Sequence, residues 1–180
     1  MAYIIKAKIL GVTKPPVWRK FRCGENASFG DFARSLRLAF GWNEFHLHEF
    51  RSSKRGGDAA IHIGPRGEDG WIQMEDENEI RIEQVFGGCA RFYWNYDFGD
   101  DWLVELTLDG QEEGDEDGIS QLDGKGMAPA EDCGGPCGWQ NIKHVLLNEP
   151  ESGQAKEYRE WLGLKDGEAF DPNDRFHRFG

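Results

Sequence analysis

Apolar positions recur with a period of two through Arg91 to Gly110, RFYWNYDFGDDWLVELTLDG. Phe92, Trp94, Tyr96 and Phe98 fall on one face, and after a break Trp102, Val104, Leu106 and Leu108 do the same. Gly99-Asp100-Asp101 lies between the two runs. Glycine tolerates positive φ and aspartate side chains bond nearby backbone amides, so this segment reverses the chain. The pattern predicts a hairpin at about 91–109 whose two strands face one core. It also places three carboxylates, Asp97, Asp100 and Asp101, at one tip beside Trp102.

The same periodicities organise the rest of the chain. Tyr3 to Leu10 and Val17 to Arg22 alternate as strands, and Pro15 and Pro16 confine the second to an edge or to the start of a ladder. Ser28 followed by Asp31 is a capping-box variant, and Phe29, Phe32, Ala33, Leu36 and Phe40 then recur at helical spacing. Gly41 stops that helix and lets Trp42 fold back toward Leu36. His46 to Arg51 reads as a short strand. Residues 52–79 read as loops around a strand at Ala60 to Ile63, and Ile80 to Phe86 as a strand end or one helical turn. Gly, Asp and Glu dominate 109–126, which reads as a mobile, solvated acidic excursion. Trp139, Ile142, Val145 and Leu146 mark a second helix ended by Pro150. Ser152 caps a third, with Tyr158, Trp161 and Leu162 on its buried face.

With 180 residues, seven Trp and twelve Phe, the chain is long enough for one domain, 1–180, to bury a core without staples. A formal net charge of −12 argues against direct nucleic-acid binding and against an anionic membrane surface. No stretch approaches the roughly 20 apolar residues of a span, and the N-terminus lacks a signal-peptide pattern, so the expected location is cytoplasmic. Four scattered cysteines read as free thiols. The Cys133/Cys137 spacing departs from common zinc knuckles, and Glu113 to Gly124 imitates only half of a calcium loop.

Five segments in order resemble the plasmid pRiA4b ORF-3-like family. They are Lys14-Pro15-Pro16-Val17-Trp18-Arg19; Phe40-Gly41-Trp42 leading to His46-Leu47-His48-Glu49-Phe50; Tyr96-Asp97-Phe98-Gly99-Asp100-Asp101-Trp102; Pro129-Ala130-Glu131-Asp132-Cys133-Gly134-Gly135-Pro136; and Phe170-Asp171-Pro172. The resemblance implies an α+β fold with a mixed, mainly antiparallel sheet. The patterning gives that sheet its central hairpin and packs it with the helix at about 28–41 and two C-terminal helices. The resemblance also implies a setting on plasmids and insertion elements, and no established activity. Some relatives carry a resolvase-like label, but the activated serine, arginine cluster and basic module of a serine recombinase do not stand out in this acidic chain. Ser120, Gln121 and Met127 occupy a region where relatives often carry cysteines, so no thiol role transfers to it.

The motifs define a candidate cleft: Trp18, Arg19, His46, His48, Asp97, Asp100, Asp101, Trp102, Glu131 and Asp132. Each has an ordinary structural use. Aspartates build turns, aromatic residues at strand positions fill cores, and strand histidines bond carboxylates or backbone. Read functionally, the groove between the hairpin tip and Glu131 to Pro136 suits a protein or peptide partner, and an acidic, aromatic-walled pocket suits a cationic one. No cofactor is called for. The alternative is a metal-dependent hydrolase or nuclease-like enzyme using His46, His48 and carboxylates from Asp97, Asp100, Asp101 or Glu131, with a divalent metal on His46, His48 and Asp97 or Asp101.

Overall fold

The computed structural model describes residues 1–43, 46–57, 59–66, 74–165 and 167–174. Its elements in chain order are β1 (Ala2–Ile9), β2 (Trp18–Gly24), α1 (Phe29–Phe40), β3 (His48–Arg51), β4 (His62–Gly64), β5 (Glu75–Asp76), α2 (Ile82–Phe86), β6 (Arg91–Tyr96), β7 (Trp102–Glu112), β8 (Ile119–Lys125), α3 (Gly135–Asn148) and α4 (Gly153–Trp161). The strands form one open sheet in the order β5-β4-β3-β6-β7-β1-β2-β8, antiparallel throughout except for β4 and β5. This is the expected α+β architecture, with a mixed, mainly antiparallel sheet. None of the described helices is long and apolar enough to cross a membrane.

The hairpin forms because its inward residues pair with one another. Phe92 opposes Leu106, Trp94 opposes Val104 and Tyr96 opposes Trp102, and all six are buried. Like faces meet, which fixes the register. Phe98 departs from the sequence pattern and is 53% exposed. The reversal begins one residue before it, where Asp97 takes φ 55° and its carbonyl accepts the Asp101 amide at 2.7 Å. Asp101 is also left-handed, at φ 52°. Aspartates rather than Gly99 therefore make the turn, because their short side chains tolerate this region and bond locally.

At the start of α1, Ser28 accepts the Asp31 amide at 3.0 Å, and Asp31 accepts the Ser28 amide at 3.3 Å. The serine hydroxyl also donates to the Asp31 carboxylate, and together these bonds hold its pKa below the usual value. Such a cap contributes about 1 kcal/mol. The apolar stripe lies on the sheet: Phe32 meets Phe21 of β2, while Phe29 meets Phe50 of β3 and Phe92 of β6. Gly41, at φ 74°, ends the helix in the left-handed conformation and Trp42 donates its amide back to Arg37. That reversal lays the Trp42 ring on the hairpin, stacked on Tyr96 at 4.9 Å and tilted against Trp102 at 5.7 Å.

Two sequence expectations change here. Residues 109–126, read as a mobile excursion, hold the end of β7 and all of β8. The backbone of β8 pairs with the otherwise open edge of β2. Its side chains are mostly exposed, so a polar composition marked an edge strand rather than an unpaired loop. Trp161, expected on a buried helical face, is 49% exposed, and Tyr158 is half-buried; Leu162 is buried as expected. The short segment at 80–86 settles as the single-turn helix α2. Of the expected loops at 52–79, residues 58 and 67–73 lie outside the described residues.

Candidate functional site

The antiparallel register of β3 on β6 pairs His48 with Tyr96, and the ladder continues as the Asp97 amide donates to the Leu47 carbonyl. His46 is thereby brought beside the hairpin tip, with Nδ1 3.5 Å from Asp97 Oδ1. The segment before α3 reaches the same place from the other side. Trp42 Nε1 donates to the Pro129 carbonyl, and the Asn43 amide donates to Glu131 Oε2, each at 2.9 Å. Glu131 Oε1 and Asp132 Oδ1 then lie 4.0 and 3.6 Å from His46 Nε2. One imidazole thus stands among carboxylates from two other stretches of chain.

The surroundings fix these groups unequally. Asp97 is buried, and its Oδ1 accepts the Gly99 amide at 3.0 Å. The Tyr96 hydroxyl lies 2.5 Å from Glu131 Oε1 and 2.6 Å from the Asn43 carbonyl. Burial, reinforced by the Glu131 carboxylate, drives the Tyr96 pKa upward and keeps the phenol a donor. Asp132 is held at φ 57° with its side chain 75% exposed. Asp100 Oδ2 accepts the Gly134 amide at 3.2 Å and so ties the hairpin tip to the loop.

Of the residues proposed from sequence, His46, Asp97, Glu131 and Asp132 converge, and Asp100 braces them. The others go elsewhere. His48 is buried, with Nε2 2.8 Å from Glu77 and Nδ1 facing Arg37. Asp101 accepts from Asn95 at 2.7 Å. The pairing of His46 and His48 on one metal is therefore corrected, because the strand carries His48 inward to a carboxylate of its own. Trp102 is fully buried in the aromatic core. Trp18 lies under Lys6, and Arg19 is 1% exposed and bonded to main-chain carbonyls, so neither joins the cluster. Sequence reading missed Tyr96 as a positioning group, because its period-two place marks it equally as core. It also missed the Glu49–His62 contact of 2.7 Å, since the two residues come from different strands.

Beside the cluster a cavity of about 350 Å³ opens between α3 and α4. Asp132, Cys133, Ile142, Glu157, Tyr158 and Trp161 are among its lining residues. Burial pushes the Cys133 thiol up to about 12 from an ordinary 9.0, with Asp100 and Asp132 adding to the effect. At pH 8 its thiolate population is then lower by about three orders of magnitude. A short iodoacetamide pulse followed by peptide mass spectrometry is expected to label exposed Cys137 and spare Cys133. Equal labelling of the two would contradict the assignment.

The fold and site define a class: an open eight-stranded α+β protein with a histidine–carboxylate cluster at the tip of its central hairpin. The sequence matches the plasmid pRiA4b ORF-3-like proteins over residues 1–177, and the chain belongs to that family. An uncharacterised protein, y4hQ, of Sinorhizobium fredii is 27% identical over 175 residues, covering 92% of this chain and 84% of that one. The crystal structure of MM3350, a protein of unknown function from Methanosarcina mazei, superposes with a TM-score of 0.78 at 30% identity, covering 96% of this chain and 92% of that one.

Proposed function

We propose that this protein is a non-enzymatic binding module whose cavity between α3 and α4 receives a cationic side chain of a protein or peptide partner. The supporting observation is the lining itself, with Asp132 and Glu157 carboxylates beside the Tyr158 and Trp161 rings in about 350 Å³. Aromatic faces attract ammonium and guanidinium groups, and adjacent carboxylates add charge and hydrogen-bond acceptors. The net charge of −12 steers cationic partners toward the surface. The cavity thiol is held protonated by burial, which favours recognition over nucleophilic chemistry. The plasmid in the family's name supports an accessory role in a mobile-element setting.

The test compares Gly-Arg-Gly with Gly-citrulline-Gly by NMR titration of the labelled protein. The charged peptide is expected to shift signals of Glu157, Tyr158 and the Trp161 indole at millimolar concentration, and Glu157→Gln or Trp161→Ala is expected to abolish the shifts. Identical shifts from the neutral peptide, or none from either, would reject the reading.

A further inference from the structure

We propose that the cavity between α3 and α4 reads main chain as well as charge: Tyr158 donates its hydroxyl proton to a backbone carbonyl of the bound segment, and Asn141 Oδ1 accepts a backbone amide. The inference rests on the cationic-peptide reading of that cavity and narrows its ligand to a peptide segment rather than a free amine. Two side-chain amides meet the Tyr158 hydroxyl. Asn141 Nδ2 of α3 donates to it at 3.0 Å, and Gln154 Nε2 of α4 donates to it at 3.1 Å. A phenol carries one donor proton besides its acceptor capacity, and an amide carbonyl oxygen only accepts. Both contacts use the Tyr158 oxygen as acceptor, so among the described residues its proton meets no acceptor and Asn141 Oδ1 meets no donor.

These unspent groups stand where a ligand would meet them. Asn141 and Tyr158 both line the cavity, so a donor and an acceptor from one bonded pair share its wall. Guanidinium and ammonium groups contain donors only. They satisfy the Asp132 and Glu157 carboxylates and leave the Tyr158 proton unused. A peptide unit supplies what is missing, since its carbonyl accepts from the phenol and its N–H donates to the Asn141 carbonyl. Gly138 brings no side chain to the lining, and the fold keeps it so, because a Cβ there would run into the Cys133 carbonyl oxygen. Main chain can therefore approach α3 closely at this point. A site whose polar groups pair with a ligand discriminates against an analogue that leaves them unpaired once water has been displaced.

The full-length protein is titrated by NMR with acetyl-Gly-Arg-Gly-amide and with n-butylguanidinium, which keeps the cation and lacks the peptide groups. The peptide is expected to bind about 10-fold more tightly, the equivalent of one or two net hydrogen bonds. Tyr158→Phe removes the hydroxyl and keeps the ring. It is expected to weaken peptide binding about 3- to 10-fold and to leave n-butylguanidinium binding unchanged. Failure of both ligands to bind the wild-type protein would overturn this proposal together with the cationic reading. Comparable affinities for the two ligands would overturn backbone recognition and leave the cationic reading in place. So would a folded Tyr158→Phe protein that binds both as the wild type does, or that weakens both alike.

Discussion

Arg19→Ala is expected to destabilise the fold by about 3–5 kcal/mol, read as a loss of roughly 10 °C in melting temperature for a chain of this size. The side chain is 1% exposed and works as a fork between three elements. Its Nε donates to the Ala39 carbonyl in the last turn of α1 at 3.1 Å. Its Nη1 lies within 3.1 Å of the Trp18 carbonyl in β2, the Lys125 carbonyl at the end of β8 and the Gly126 carbonyl just beyond it. A cation at a helix C-terminus is favoured by the axial dipole, and the Phe40 ring lies 5.4 Å from the guanidinium carbon. Truncation leaves several buried carbonyls without this donor and opens a cavity, each a recognised large cost. Arg19→Lys keeps the charge but replaces a planar five-donor fork with a point cation, so about 2 kcal/mol is expected to be lost even there. Denaturant unfolding of the three proteins checks the order. A lysine variant as stable as wild type would show that charge rather than fork geometry carries the effect.

The second large effect is expected at Gly135, the first residue of α3. It sits at φ 67°, and a Cβ there would lie 2.4 Å from the Asp100 carbonyl oxygen. The loop and the hairpin tip meet backbone to backbone at this point, next to the Gly134–Asp100 hydrogen bond. Gly135→Ala is expected to cost about 1–2 kcal/mol for the left-handed backbone and a further 1–3 kcal/mol for the clash. Gly163 supplies the control, since it has the same φ of 67° but nothing within 4 Å of its would-be Cβ. Gly163→Ala should show the backbone cost alone. Equal losses at both positions, by urea denaturation, would refute the close approach.

The elements that local pattern specifies were legible. Ser28 and Asp31 announced the start of α1 through a cap that involves only neighbours in sequence, and Gly41 announced its end. The alternation from Phe92 to Leu106 announced the hairpin, since each strand must show one face to a core. The readings that failed lack such local causes. The polar strand β8 forms because β2 offers an open edge, which its own composition cannot indicate. Arg19 entered the candidate cleft through its motif, yet its burial is created by α1 and β8 closing over it. Trp161 looked like core because of helical spacing, yet the turn of α4 leaves it facing the cavity.

For the site, the sequence by itself determined the ingredients: histidine, aspartate and glutamate in three motifs, with special backbone conformations between them. It could not decide which of them meet. His46 and His48 share a strand face by periodicity, but the β3–β6 register puts one at the hairpin tip and delivers the other to Glu77. Glu131 and Asp132 reach His46 in a segment that Trp42, thrown back by Gly41, anchors at the Pro129 carbonyl and that Asn43 and Asp100 bond on either side. Chain-local signals come from hydrogen bonds and periodicities spanning a few residues, and these the sequence carries. Convergence of groups from residues 46, 97, 131 and 132 depends on strand register and backbone close approach, and these exist only once the sheet has formed.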